Sequence, residues 1–212
     1  MSPLYVIVDV DVCLAAGRRP EAVATGCLEA GVSHLQIRAK LLGAGAFLDL
    51  VLQVTPAATA AGAVLIVNDR VDVARAARAG VHLGQTDLPV AEARRLLGDT
   101  AVVGRSTHTP AELDAALAEA VTYVAYGPVF TTTTKHNPDP VVGLEGVRFA
   151  AARAARAGRP LVAIGGITLA TARAVTAAGA TAVAVISDLV RRDEEPAARC
   201  RRFLSALRAD PV

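Results

Sequence analysis

Short apolar runs alternate with alanine-rich stretches of helical period along the whole chain. Residues 4–9, Leu-Tyr-Val-Ile-Val-Asp, read as a buried strand, and residues 20–31 as a helix closed by Gly31. Residues 33–38 form a second strand pattern, followed by a helical stretch over 45–62 with Pro56 as a candidate kink. The same alternation continues through strands at 63–69 and 81–84 and helices at 71–80 and 88–98. Strands at 100–106 and 121–130 follow, the helix between them opening on Thr109, Pro110 and Glu112, a cap, a first-turn proline and a third-position acid. Helix 144–158, strand 160–166, helix 168–179, strand 180–187 and a last helix at 194–207 complete the pattern.

Eight even strand–helix units, with no linker and no shift in composition, predict one (β/α)8 barrel of the TIM type, a single α/β domain over residues 1–212. A doubly wound open sheet is the alternative, and eight evenly spaced units fit closure better. Composition agrees. Hydrophobic residues make up 53% of the chain but aromatics only 3%, with no Trp. That suits small side chains packed over a buried parallel sheet.

Mean hydropathy is +0.42, yet no run approaches the roughly 18 apolar residues of a membrane span. Twenty-two basic residues face 20 acidic ones, and no basic stripe interleaves with aromatics, so no nucleic-acid partner is expected. Cys13, Cys27 and Cys200 are widely spaced and unpaired by motif, which favours a reducing cytoplasm over a disulfide framework. The chain starts directly in a strand-like run without a basic region, so no secretory signal is expected.

Active sites of such barrels stand at the carboxyl ends of the strands. Gln36, Arg38 and Lys40 alternate onto one side of the second strand, where two cations and an amide suit a phosphorylated ligand or a solvated edge. Asn68 and Asp69 follow the third strand and Asp87 the fourth, so the two carboxylates can converge on Mg2+. Asp87 reads equally as a helix cap before Leu88-Pro89, and Asp69 as a partner of Arg70 or Arg38. His82 reads as a packed barrel histidine. Ser106 and His108 follow the fifth strand as a phosphate donor and an acid–base candidate, without a hydrolytic triad.

After the sixth strand, extended geometry puts Thr132 and Thr134 on one side and Thr131 and Thr133 on the other, with Lys135 behind them. Gly165-Gly166 and Ile186-Ser187 end the seventh and eighth strands, the usual phosphate site of this fold. Two anion sites in one mouth argue for a transferase joining two phosphorylated small molecules.

The segments HLQIRAK, VNDRVDVA, GVHLGQTDLP, GRSTHTPAEL, YGPVFTTTTK and VAIGGIT…AVISDL, in this order, resemble the successive signatures of the thiamine-phosphate synthase family. The resemblance implies condensation of 4-amino-2-methyl-5-pyrimidinylmethyl diphosphate with a thiazole phosphate, giving thiamine monophosphate and pyrophosphate. It implies that Gln36, Ile37, Arg38, Ala39, Lys40, Asn68, Ser106 and Lys135 surround the pyrimidine diphosphate, with Arg38, Lys40, Ser106 and Lys135 catalytic. It implies Mg2+ on Asp69 and Asp87, and a thiazole-phosphate side of Thr132, Thr133, Thr134, Gly166, Ile186 and Ser187, where Thr133, like Thr131, serves mainly the loop.

The chain departs from the family pattern at residue 8, Val where Thr is commoner, and at Val121-Thr122, where a small residue and Asp are commoner. A related family, the thiazole tautomerases, shares the fold and the GRS-x-H stretch, with His108 at its acid–base position, but lacks the diphosphate and metal residues. A non-catalytic protein that binds thiamine precursors is a third reading. The alanine-rich last helix is a candidate interface for a homo-oligomer or simply barrel packing.

Overall fold

The computed structural model describes residues 1–132 and 139–208. Eight parallel strands close into one barrel in chain order: β1 Leu4–Asp9, β2 His34–Arg38, β3 Val64–Asn68, β4 Gly80–Leu83, β5 Val103–Thr107, β6 Tyr123–Tyr126, β7 Leu161–Ile164 and β8 Ala182–Val185. Pairing of Leu4 with Val183 and of Val6 with Val185 closes the ring. Helices α1 Val10–Ala15, α2 Pro20–Glu29, α3 Ala44–Ala60, α4 Val71–Ala77, α5 Val90–Leu97, α6 Pro110–Ala118, α7 Gly143–Arg156, α8 Ala172–Ala177 and α9 Pro196–Arg208 surround it. Among the described residues no helix is long and apolar enough to cross a membrane.

Strand alternation sorts the side chains into two cores. Leu4, Val6, Val8, Leu35, Ile37, Val67, Val81 and Val124 point outward and bury against Val, Leu and Ala of the helices. Tyr5, Ile7, Ile66, Tyr123, Ala125, Val162, Ala182 and Ala184 point inward and fill the barrel. The small outward residues let the helices lie close, which is why so aromatic-poor a chain can pack densely.

The predicted barrel stands, with local corrections. The first strand ends at Asp9, as expected. The Asp9 carboxylate accepts the Val12 N–H at 3.0 Å and starts α1, a helix that the sequence reading did not place. Helix α4 ends at Ala77, and Arg78 takes the left-handed conformation (φ 53°) in its place, so Gly80 belongs to β4. The strand expected over 121–130 is confined to Tyr123–Tyr126. Pro56 lies inside α3, which runs on to Ala60. The cap at α6 is as expected, with Thr109 accepting from Glu112 N–H at 3.2 Å and the Glu112 carboxylate accepting from His108 N–H at 2.7 Å.

Gly104 has a packing reason. A Cβ there would stand 2.1 Å from the Tyr123 ring and 2.6 Å from His82 Nδ1. The missing side chain makes room for a tyrosine inside the barrel. Gly104→Ala is therefore expected to destabilise the fold by about 1–3 kcal/mol, the usual cost of overpacking. Urea unfolding measures this, and a wild-type midpoint would mean that the Tyr123 ring is not held against β5.

Candidate active site

The inward positions at the carboxyl ends of the strands line a cleft of about 900 Å3, its open mouth included. Its walls differ. On β2 to β5 they are polar, with Gln36, Arg38, Asn68, His82 and Ser106. On β1 and β6 to β8 they are apolar, with Ile7, Ala125, Ile164 and Ala184, joined by Ile186 beyond β8. Thr132, Gly166 and Ser187 also border the cleft. The sequence reading placed eight of these residues in the site: Gln36, Arg38, Asn68, Ser106, Thr132, Gly166, Ile186 and Ser187.

Two expected residues turn away. Ile37 and Ala39 are buried among the outward hydrophobics, because alternation opposes them to Gln36 and Arg38. Only their backbone can border a ligand. Thr133, Thr134 and Lys135 lie outside the described residues.

Arg38 is not a solvated strand end. Its guanidinium pairs with Asp9, whose side chain is 2% exposed and also caps α1. Asp9, its register partner on β1, thus holds Arg38 at the rim of the cleft, a role the sequence reading missed. The signal was available: Tyr5, Ile7 and Asp9 share one parity, and Asp9 ends β1 as Arg38 ends β2.

Lys40 stands beyond the end of β2, and its ammonium meets Asp69 at 2.5 Å. Asp69 takes φ 61°, a left-handed conformation that carries a steric cost for any residue with a Cβ. Its N–H donates to His82 O at 2.8 Å, anchoring the turn between β3 and α4 to β4. Asp87 does not cap α5, whose N-cap is Pro89. Its carboxylate accepts from Gly84 N–H at 2.7 Å, closing the turn after β4 beside Asp69.

Burial, and then the neighbouring Asp69 carboxyl, push the Asp87 carboxyl above its ordinary range, partly offset by the Gly84 N–H and Lys40. Two converging carboxylates, one of them strained toward neutrality, are the donor set a hard divalent cation prefers, with water or a phosphate supplying the rest. Among the described residues no cluster of three or more His, Cys, Asp or Glu is poised to hold a metal, so protein ligation would rest on this pair.

Across the mouth, Gly165 (φ 103°) and Gly166 (φ 64°) face the loop after β6. A Cβ on Gly165 would lie 2.5 Å from Pro128, and one on Gly166 2.5 Å from Thr131 O. Val129 N–H and Phe130 N–H donate to Ile164 O and Gly165 O, both at 2.9 Å. The glycine pair therefore lets two loops dock backbone to backbone, a reason beyond access for a phosphate. Asp188, after β8, accepts from Leu169 N–H at 2.9 Å and forms a paired ion bridge with Arg199 of α9 at 2.7 and 2.9 Å. The turn Ser187–Leu189 is held by both contacts.

His108 borders the same cleft, and its Nδ1 lies 2.6 Å from Gly127 O and 3.4 Å from Asp139. A carbonyl only accepts, so Nδ1 carries the hydrogen.

The sequence model of the thiamine monophosphate synthase family matches residues 4–189. The chain belongs to the thiamine monophosphate synthase family. A thiamine-phosphate synthase of Anaeromyxobacter dehalogenans is 44% identical over 208 residues, covering 97% of this chain and 88% of its own. One from Gloeobacter violaceus is 44% identical over 181 residues, covering 85% of this chain, which spans 52% of that longer relative. The solved thiamine phosphate pyrophosphorylase of Pyrococcus furiosus superposes with a TM-score of 0.84 at 29% identity, covering 96% of this chain and 94% of its own.

The family departures fall on structural positions. Val8 is an outward core residue, and Thr122 Oγ1 accepts from Val103 N–H at 3.0 Å and from Arg94 at 3.1 Å.

The raised Asp87 yields a prediction for this family member. A raised acid favours folding in its protonated form, so that contribution is complete below the ordinary carboxylate pKa of about 4 and is lost as pH rises through the raised value. At pH 7 the pair is thus destabilising, and a bound cation would relieve it. Asp87→Asn keeps the acceptor for Gly84 and removes the charge. Its Tm at pH 7 without ligand should equal or exceed wild type, while the rise expected of wild type on adding Mg2+ with pyrophosphate should be absent. A lower Tm with that rise intact would show that Asp87 holds no metal.

Proposed function

We propose that the chain acts as a thiamine-phosphate synthase, a transferase that condenses 4-amino-2-methyl-5-pyrimidinylmethyl diphosphate with a thiazole phosphate, with Mg2+ on Asp69 and Asp87. One observation carries this reading. The paired carboxylates Asp69 and Asp87, with Lys40 against Asp69, stand at the ends of β3 and β4, next to the polar wall that carries Arg38. This arrangement supports a metal-bound diphosphate there, opposite an apolar wall that a ring could cover.

In this reading the bond from the pyrimidine methylene carbon to the diphosphate oxygen breaks, and pyrophosphate leaves with the electron pair. The electron-rich aminopyrimidine stabilises the cation, and the thiazole nitrogen attacks the same carbon to form the new carbon–nitrogen bond. The ring nitrogen carries no proton to lose, so no general base is required on the nucleophile. Bound at the carboxylate pair, Mg2+ would supply charge neutralisation on the leaving pyrophosphate.

Arg38, held by Asp9, and Lys40 would add cationic donors to the same charge, which is worth most in a site closed to water. Lys135 would act with them. Ser106 would donate a neutral hydrogen bond. The Gly166 and Ser187 backbones, held by loop docking and by Asp188–Arg199, support the thiazole-phosphate side. The polar wall on β2 to β5 favours the synthase over an isomerase, which has no use for a metal-bound leaving group.

The test is thiamine phosphate formation from both substrates, with Mg2+ and with EDTA. Metal-dependent product is expected, and Asp69→Ala should lower kcat by about 10²-fold or more. No product in either condition, with turnover of the thiazole alone that fails in His108→Ala, would move the function to the isomerase.

A further inference from the structure

Inside the barrel, five side chains form one unbroken hydrogen-bonded line from β2 to β5. Gln36 Nε2 donates to Tyr5 Oη at 2.8 Å, and Tyr5 Oη meets Tyr123 Oη at 2.8 Å. Tyr123 Oη meets His82 Nδ1 at 2.9 Å, and His82 Nε2 meets Ser106 Oγ at 2.8 Å. Gln36, Tyr5 and Tyr123 are each 1% exposed and His82 7%, so bulk water does not compete along the line.

Hydrogen counting gives the line a direction. Each phenol has one hydrogen to donate. Tyr5 already receives one from Gln36, and Tyr123 is the acceptor within its reach, so Tyr5 donates to Tyr123. Tyr123 then donates to His82 Nδ1. His82 accordingly carries its hydrogen on Nε2 and donates to Ser106 Oγ. Ser106 receives that bond and keeps its own hydroxyl hydrogen for the cleft. At the opposite end Tyr5 takes one of the two Gln36 amide hydrogens, and the carbonyl oxygen and the second N–H remain. Burial pushes both phenols well above their ordinary range, so neither gives up its proton and breaks the order. The His82 ring also stacks on Tyr123 with centroids 5.6 Å apart, which fixes its orientation.

We infer that Tyr5, Tyr123 and His82 are positioning residues: a one-way buried relay, anchored at Gln36, that sets His82 as the Nε2–H tautomer and leaves the Ser106 hydroxyl hydrogen for the substrate. The direction follows from the Gln36 N–H that Tyr5 accepts, carried along the line by hydrogen counting. Its use rests on the synthase reading, where a donor at Ser106 matches a pyrimidine that offers ring-nitrogen lone pairs. It also gives Gly104 a functional consequence, since a side chain there would displace the link between Tyr123 and His82.

Long-range nitrogen–proton NMR of His82 in the ligand-free protein reads the tautomer without reference to activity. Wild type should show hydrogen on Nε2. Tyr5→Phe should keep it there, because Tyr123 still donates. Tyr123→Phe should yield mixed tautomers. Hydrogen on Nδ1 in wild type, or an unchanged ring in Tyr123→Phe, overturns the relay.

In thiamine phosphate formation, Tyr123→Phe should lower kcat/KM by about tenfold, the scale of one buried hydrogen bond. In a Ser106→Ala background it should change kcat/KM by less than about twofold, because the relay then ends on nothing. A full additional loss in that background would mean that Tyr123 acts only through packing, and would sink the positioning role. If wild type makes no thiamine phosphate, the synthase reading fails while the tautomer result still judges the relay.

Discussion

Closing eight parallel strands into one barrel leaves each inward side chain only the barrel axis or the mouth. Everything functional here follows from that constraint. Inward polar groups must find partners in a space without water, and they do: among the described residues no buried side-chain nitrogen or oxygen lacks a hydrogen bond. The partners are necessarily on other strands. Gln36, Tyr5, Tyr123, His82 and Ser106 satisfy one another across five strands, and a buried need for satisfaction becomes a defined order of donors and acceptors beneath the cleft.

The same closure divides the mouth. Polar inward residues fall on β2 to β5 and apolar ones on β1 and β6 to β8. Charge collects at one edge, where Lys40 meets Asp69, Asp87 sits beside Asp69 and Arg38 is held by Asp9. The ion pairs orient these groups and temper their repulsion, but they leave Asp87 short of compensation. In the proposed synthase a cation with its anionic ligand would supply that compensation.

The opposite edge is built from backbone. Gly165 and Gly166 let the loop after β6 dock on the loop after β7, and Asp188 ties the loops after β7 and β8 to α9 through Arg199. Backbone donors can be placed for a phosphate only if the loops that carry them are held from behind. Arg199 is nearly buried, and its bridge to Asp188 is the strongest candidate for that support.

The eight strand–helix units and the shared parity of Gln36 and Arg38 were legible in the sequence, because period-two alternation and helical period are local properties of the chain. Asp69 and Asp87 could be placed at adjacent strand ends for the same reason. Helix α1 was not legible, since Val10, Asp11 and Val12 continue a strand-like alternation and it is the Asp9 carboxylate, accepting from Val12 N–H, that turns the chain. The pairing of Arg38 with Asp9, the glycine docking and the relay through Tyr5 and Tyr123, 118 positions apart, were decided by tertiary structure alone. Spacing along a chain encodes which way a side chain points. Which group it meets depends on how the barrel closes, and that sets the partners.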